Sequence, residues 1–163
     1  MLLRVYYRSE RINSMTSEAT DRRDIEATVR RLVDEVSEWS HVTAGEHRFG
    51  GTEFRVGPRE IGHVHSWGML DVAFHRTLRD VLVEEGPTGP HHVLPESGWT
   101  TYHVESPGED EHALRLLRLS YLYHVNVLQG TPGGAEAFGD VDVEGELDSM
   151  GSSRQIRSAF DRR

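Results

Sequence analysis

Apolar residues recur at helical spacing in three stretches of the chain, and they alternate with polar residues in the shorter stretches between them. The helical spacing predicts helices over about 21–38, 75–85 and 109–128. The alternation predicts strands over about 52–56, 60–65, 69–74 and 99–104. The turns between the first strands are short, which indicates antiparallel pairing. This order of elements predicts the α+β class: a single two-layer domain with helices packed on one face of an antiparallel sheet.

The segment Ser66–Gly68 predicts a tight hairpin loop, because a glycine in the last position can adopt the left-handed conformation. Such a loop pairs His63 with Asp71 and places His65 on the same face as both. A slip of one residue would bury two imidazoles and a carboxylate, so the alternative register is costly. The partly open face is predicted to carry Ile61, His63, His65, Met69, Asp71 and Ala73. The face beneath the helices is predicted to carry Gly62, Val64, Leu70, Val72 and Phe74.

The two ends of the chain differ in composition from its middle. Residues 1–14 are basic and precede Met15, and we expect them to be dispensable or to reflect a mis-assigned start codon. Residues 131–163 are acidic and rich in glycine, and such a segment is expected to be disordered because it buries little apolar surface. The α+β domain is therefore predicted over 15–130.

Charge and composition narrow the function classes. The chain has 18 basic residues, all arginine, against 27 acidic ones, and its formal net charge is −9. This acidity counts against nucleic-acid binding, which needs a basic patch. It suits a halophilic protein, although a GC-rich genome also favours arginine over lysine. With no cysteine there is no disulfide or cysteine-based metal site, and no apolar run approaches membrane-spanning length, so a cytoplasmic protein is predicted.

Histidine and aspartate carry the candidate chemistry. A carboxylate opposite an imidazole orients the ring and raises its pKa, as predicted for Asp71 and His63. The loop at His91 and His92 leads to the last predicted strand. Side chains that alternate along that strand can extend the face that carries His63 and Asp71. The candidate ligand-binding residues are His63, His65, Asp71, His91, His92, Trp99 and His103.

Three interpretations of this surface stay open. His63, His65 and Asp71 form a set that can hold a divalent metal such as Zn²⁺ or Fe²⁺, although no motif such as HExxH accompanies them. General acid–base catalysis by His63 with Asp71 is a further possibility. The third is that the histidines are hydrogen-bonded surface residues without a function.

Three segments together, REIGHVHSWGMLDVAF, HHVLPESGWTTYHV and ALRLLRLSYLYHV, resemble the luciferase-domain family, small proteins of largely unknown function. The resemblance extends over about Glu46–His124. A more distant likeness, through His92, Trp99, Ser120 and Tyr121, is to the MmcQ/YjbR group of α+β domains, for which DNA binding has been suggested.

The family resemblance implies a compact α+β fold and directs attention to His63, His65, His92, Gly98 and Trp99, but it does not imply light emission. The sequence favours binding of a small ligand or partner on the histidine face, beside the 91–99 loop. The alternatives are a metal-dependent enzyme that uses His63, His65 and Asp71, and a DNA-binding or protein-interaction module.

Overall fold

The structure is a computed structural model that describes residues 2–86 and 88–161. The helices are α1 (Leu2–Ser37), α2 (Arg76–Glu85), α3 (Asp110–Gln129), α4 (Gly134–Ala137), α5 (Val143–Ser149) and α6 (Arg154–Phe160). The strands are β1 (Val42–Glu46), β2 (Thr52–Val56), β3 (Arg59–Val64), β4 (Met69–Ala73), β5 (Gly89–Pro90) and β6 (Trp99–His103). None of the described helices is both long enough and apolar enough to cross a membrane.

The strands form one antiparallel sheet in the order β1-β2-β3-β4-β6-β5. The central helix α3 packs against β2, β3 and β4, while α1 packs against β1 and β2. The core lies between these helices and the sheet, where Val64, Leu70 and Val72 are fully buried. The structure therefore confirms the predicted α+β fold.

The hairpin between β3 and β4 has the predicted register. His63 pairs with Asp71, and the His65 N–H donates to the carbonyl of Met69 at 2.9 Å. Gly68 closes the loop with a φ of 97°, in the left-handed region that favours glycine. The histidine face of this hairpin points away from α3, because a Cβ on Gly62 would lie 2.9 Å from Leu117 of α3.

An irregularity in β3 changes the predicted alternation of its side chains. Phe54 of β2 pairs with Gly62, but the next residue, Arg55, pairs with Glu60, so Ile61 is left without a partner. This is the arrangement of a β-bulge, which shifts the side-chain alternation along the strand. Ile61, predicted beside His63, is instead part of the hydrophobic core. Glu60 comes to lie on the same side as His63.

Helices extend at both ends beyond the residues 15–130 predicted as the domain. Helix α1 does not begin at Asp21 but continues back to Leu2, and no glycine or proline interrupts those residues. The prediction of disorder over 131–163 is wrong for residues 134–160, which hold three short helices. Leu147, Ile156 and Phe160 of this segment are buried in the core. A few apolar residues are enough to order this segment, because they pack against a surface formed by the rest of the domain.

Candidate functional site

A cavity of about 510 Å³ opens on the sheet face opposite α3. Its floor is the β3–β4 hairpin, and its walls are the loop after β1 and the segment between β5 and β6. The lining residues are His47, Arg48, Phe49, Glu60, His63, His65, Trp67, Met69, Asp71, His91, His92, Val93, Leu94 and Trp99.

The carboxylate of Asp71 is the centre of the polar floor. It is almost fully buried on β4 and accepts a hydrogen bond from the Thr101 hydroxyl of β6. His63 Nε2 lies 3.3 Å from Oδ2, His92 Nδ1 lies 3.4 Å from Oδ1, and His91 Nε2 lies 3.6 Å from Oδ2. A buried carboxylate needs such partners to remain charged. Asp71 thus joins three ring systems from β3 and from the segment before β6.

His63 lies between two carboxylates. Its Nδ1 donates to Glu60 Oε1 at 2.8 Å, which is closer than the 3.3 Å between its Nε2 and Asp71. The ring also stacks on His47, with centroids 3.7 Å apart and planes 11° from parallel. The position and orientation of the His63 ring are therefore fixed on both edges and on one face.

These contacts shift the protonation equilibria of the floor. Burial lowers the pKa of His63, but hydrogen bonds to Asp71 and Glu60 outweigh it and raise the pKa to about 9. Burial raises the pKa of Asp71, yet the bonds from His63 and Thr101 hold that pKa at about 2. The pKa of His65 is lowered by burial and then by the positive charge of His63. At neutral pH the floor holds a charged His63 between two carboxylates.

His91 connects the wall of the cavity to its floor. Its Nδ1 accepts the backbone N–H groups of Val93 and Leu94 at 3.2 and 3.0 Å. Since Nδ1 accepts two bonds, the proton of the neutral ring is on Nε2, which faces Asp71. Burial lowers the pKa of His91 and so favours this neutral form. The ring holds the wall segment at a fixed distance from the carboxylate.

The rim of the cavity is apolar. Among the described residues, the exposed large hydrophobic side chains are Phe49, Trp67, Val93 and Leu94, and all of them border this cavity. Trp67 stacks on His65 with centroids 4.3 Å apart. The cavity therefore combines a charged, buried floor with an apolar edge that faces solvent.

The structure brings together six of the seven candidate residues predicted from the sequence. His63, His65, Asp71, His91, His92 and Trp99 line the cavity, whereas His103 lies outside it, exposed at the end of β6. The face is less open than predicted, since His63, His65 and Asp71 are all buried beneath the two wall segments.

Sequence reasoning missed His47 and Glu60. Glu60 is three positions from His63, which in a regular strand places it on the opposite face, and only the bulge at Ile61 brings the two together. His47 follows an edge strand that the alternation did not reveal. A general excess of histidine was the one available signal for it.

Residues 58–120 match the family model described as Luciferase domain. The match confirms the resemblance predicted from the motifs, over less than half of the chain. It includes the β3–β4 hairpin and the 91–99 segment, while His47 precedes it. A search of curated proteins found no match to this chain. The likeness to the MmcQ/YjbR group stays a prediction.

Proposed function

We propose that the chain binds a small amphipathic molecule in the histidine cavity. The polar part of this molecule would contact the floor at His63 and Asp71, and its apolar part would lie against the rim. The observation that carries the proposal is the concentration of exposed large apolar side chains around one cavity with a buried ionisable floor. Exposed apolar patches of this kind mark binding sites in soluble proteins.

The size and shape of the cavity support a small molecule. A volume of about 510 Å³ falls within the range of about 300–1,000 Å³ that is usual for ligand pockets. Trp99 lies inside, with its ring centroid 5.6 Å from that of His63, and Trp67 lies at the edge. Two indoles that line one cavity favour a ligand with a flat ring or ring system.

The charges that line the cavity disfavour nucleic acid as its ligand. Arg48 is the one arginine among the lining residues, which also include Glu60 and Asp71. Phosphate groups need several basic side chains, and the whole chain carries a net charge of −9. A DNA shift at low ionic strength that disappears in Trp67→Ser would nevertheless favour that alternative over a small molecule.

Titration with the fluorescent amphipathic probe 8-anilinonaphthalene-1-sulfonate tests the proposal. We expect saturable binding of one probe per chain, and at least a fivefold weaker affinity in Trp67→Ser and in Leu94→Ser. Leu114→Ser is the control, because Leu114 lies on α3, partly buried and outside the histidine cavity. Circular dichroism establishes that each variant is folded.

Two outcomes would contradict the proposal. One is the absence of saturable binding to the wild-type chain. The other is equal weakening by Leu114→Ser and by the two rim variants, which would indicate general adsorption to apolar surface. Extraction of the freshly purified wild-type chain with organic solvent, followed by mass spectrometry, would then search for a bound molecule without any probe.

A further inference from the structure

Three imidazoles are buried together at one side of the cavity floor. His47, His63 and His65 are 5%, 8% and 5% exposed, and each offers one ring nitrogen within 4.8 Å of the others. Buried histidines usually have a hydrogen-bond partner for each polar nitrogen. His65 Nδ1 is buried and has no partner among the described residues. The His65 Nδ1 atom is therefore available for contact with a ligand that binds between these rings.

The contacts of His63 resemble those of a metal-binding histidine. Such a ring commonly donates one N–H to a carboxylate, which fixes its orientation and leaves the other nitrogen for the metal. His63 Nδ1 makes this bond to Glu60 Oε1 at 2.8 Å. The opposite nitrogen, Nε2, lies 3.3 Å from the carboxylate of Asp71. A metal ion would replace the proton on Nε2, while the bond from Nδ1 to Glu60 would remain.

A second group of possible ligands, Asp71, His91 and His92, fits a metal less well. The Nδ1 of His91 accepts two backbone N–H groups, so its Nε2 carries the proton and donates towards Asp71. His47 has one comparable contact, from the Phe49 N–H at 3.4 Å, which is longer than a normal hydrogen bond. The His47 ring is therefore free to take either tautomer, whereas the His91 ring is not.

We propose that His47, His63 and His65 bind one divalent transition-metal ion, with Glu60 orienting His63. Imidazole-rich sites select Zn²⁺, Co²⁺, Ni²⁺, Cu²⁺ or Fe²⁺ over Mg²⁺ and Ca²⁺. This set keeps His63 and His65 from the ligands predicted from the sequence, has His47 in place of Asp71, and assigns a role to Glu60. The inference deepens the proposed function, since the ion would form part of the floor that meets the ligand.

Calorimetric titration with Zn²⁺ tests the site on the full chain, purified without a histidine tag and treated with EDTA. We expect one equivalent of Zn²⁺ per chain, at least 100-fold weaker binding in His47→Gln and in His65→Gln, and about tenfold weaker binding in Glu60→Gln. His91→Gln and the exposed control His103→Gln are expected to change the affinity less than threefold. Mg²⁺ at the same concentrations is expected not to bind.

A second measurement needs no variant. In long-range ¹H–¹⁵N spectra of the wild-type chain, Zn²⁺ is expected to shift the ring nitrogens of His47, His63 and His65 and to leave those of His91 and His103 in place. The absence of saturable Zn²⁺ and Co²⁺ binding would overturn the metal site. Binding that His91→Gln abolishes and His47→Gln spares would overturn this ligand set. Because the probe titration depends on rim variants and the Zn²⁺ titration on floor variants, failure of the metal site and failure of the proposed function are distinguishable.

Discussion

The buried ring of His124 makes stability depend on pH in a way that can be worked out from its contacts. His124 lies on α3, where its Nδ1 accepts from Arg59 Nε at 2.7 Å and its Nε2 donates to the Ala73 carbonyl at 3.2 Å. A second proton would have to displace the Arg59 contact. Burial, followed by the charge of Arg59, lowers the pKa of His124 from 6.5 to about 3.

The direction in which stability changes with pH follows from proton uptake by the unfolded chain. Below pH 6.5 the unfolded chain protonates this histidine and the folded chain does not, so acid favours unfolding. The contribution of His124 is complete above that pH and is lost as the pH falls towards 3. At about 1.4 kcal/mol per pH unit, lowering the pH from 6.5 to 4.5 removes about 3 kcal/mol of unfolding free energy through this one ring.

The assay is urea unfolding followed by circular dichroism at intervals between pH 7.5 and 4.5, with wild type, His124→Gln and His103→Gln. Glutamine keeps one donor and one acceptor but takes up no proton. We expect its unfolding free energy to fall by about 3 kcal/mol less than that of wild type across this range. The exposed His103→Gln is expected to follow wild type. Parallel curves for wild type and His124→Gln would refute the reasoning.

Three further substitutions test the packing around the site by urea unfolding. Gly68→Ala is expected to lower the unfolding free energy by about 2–3 kcal/mol, because φ is 97° and a Cβ would lie 2.3 Å from the Val104 oxygen. The control is Gly45→Ala, where a Cβ meets open space and the unfolding free energy should change by less than about 0.5 kcal/mol. Ser120→Ala should cost about 1–3 kcal/mol, since its buried hydroxyl contacts carbonyl oxygens of β3 and β4; no change would mean that these carbonyls have other partners. Leu147→Ala should cost about 2–5 kcal/mol if the tail packs as described, whereas a disordered tail would show no loss.

The sequence alone was sufficient for the central hairpin. Alternation along β3 and β4 and the glycine at position 68 specify the turn, the pairing of His63 with Asp71 and the face that the helices cover. These properties are local, because side chains alternate with a period of two and the loop length sets the register. The family motifs were also visible in the sequence, and the family match to residues 58–120 agrees with them.

Tertiary structure decided what surrounds that hairpin. The unpaired residue in β3 moves Glu60 to the side of His63, and the loop after β1 places His47 on the same ring. The segment of Val93 and Leu94 covers the face that alternation left open. The acidic tail folds because its few apolar residues reach a surface made by distant parts of the chain. Periodicity describes neighbours along one strand, whereas these contacts join segments far apart in sequence, and only the packed chain determines which of them meet.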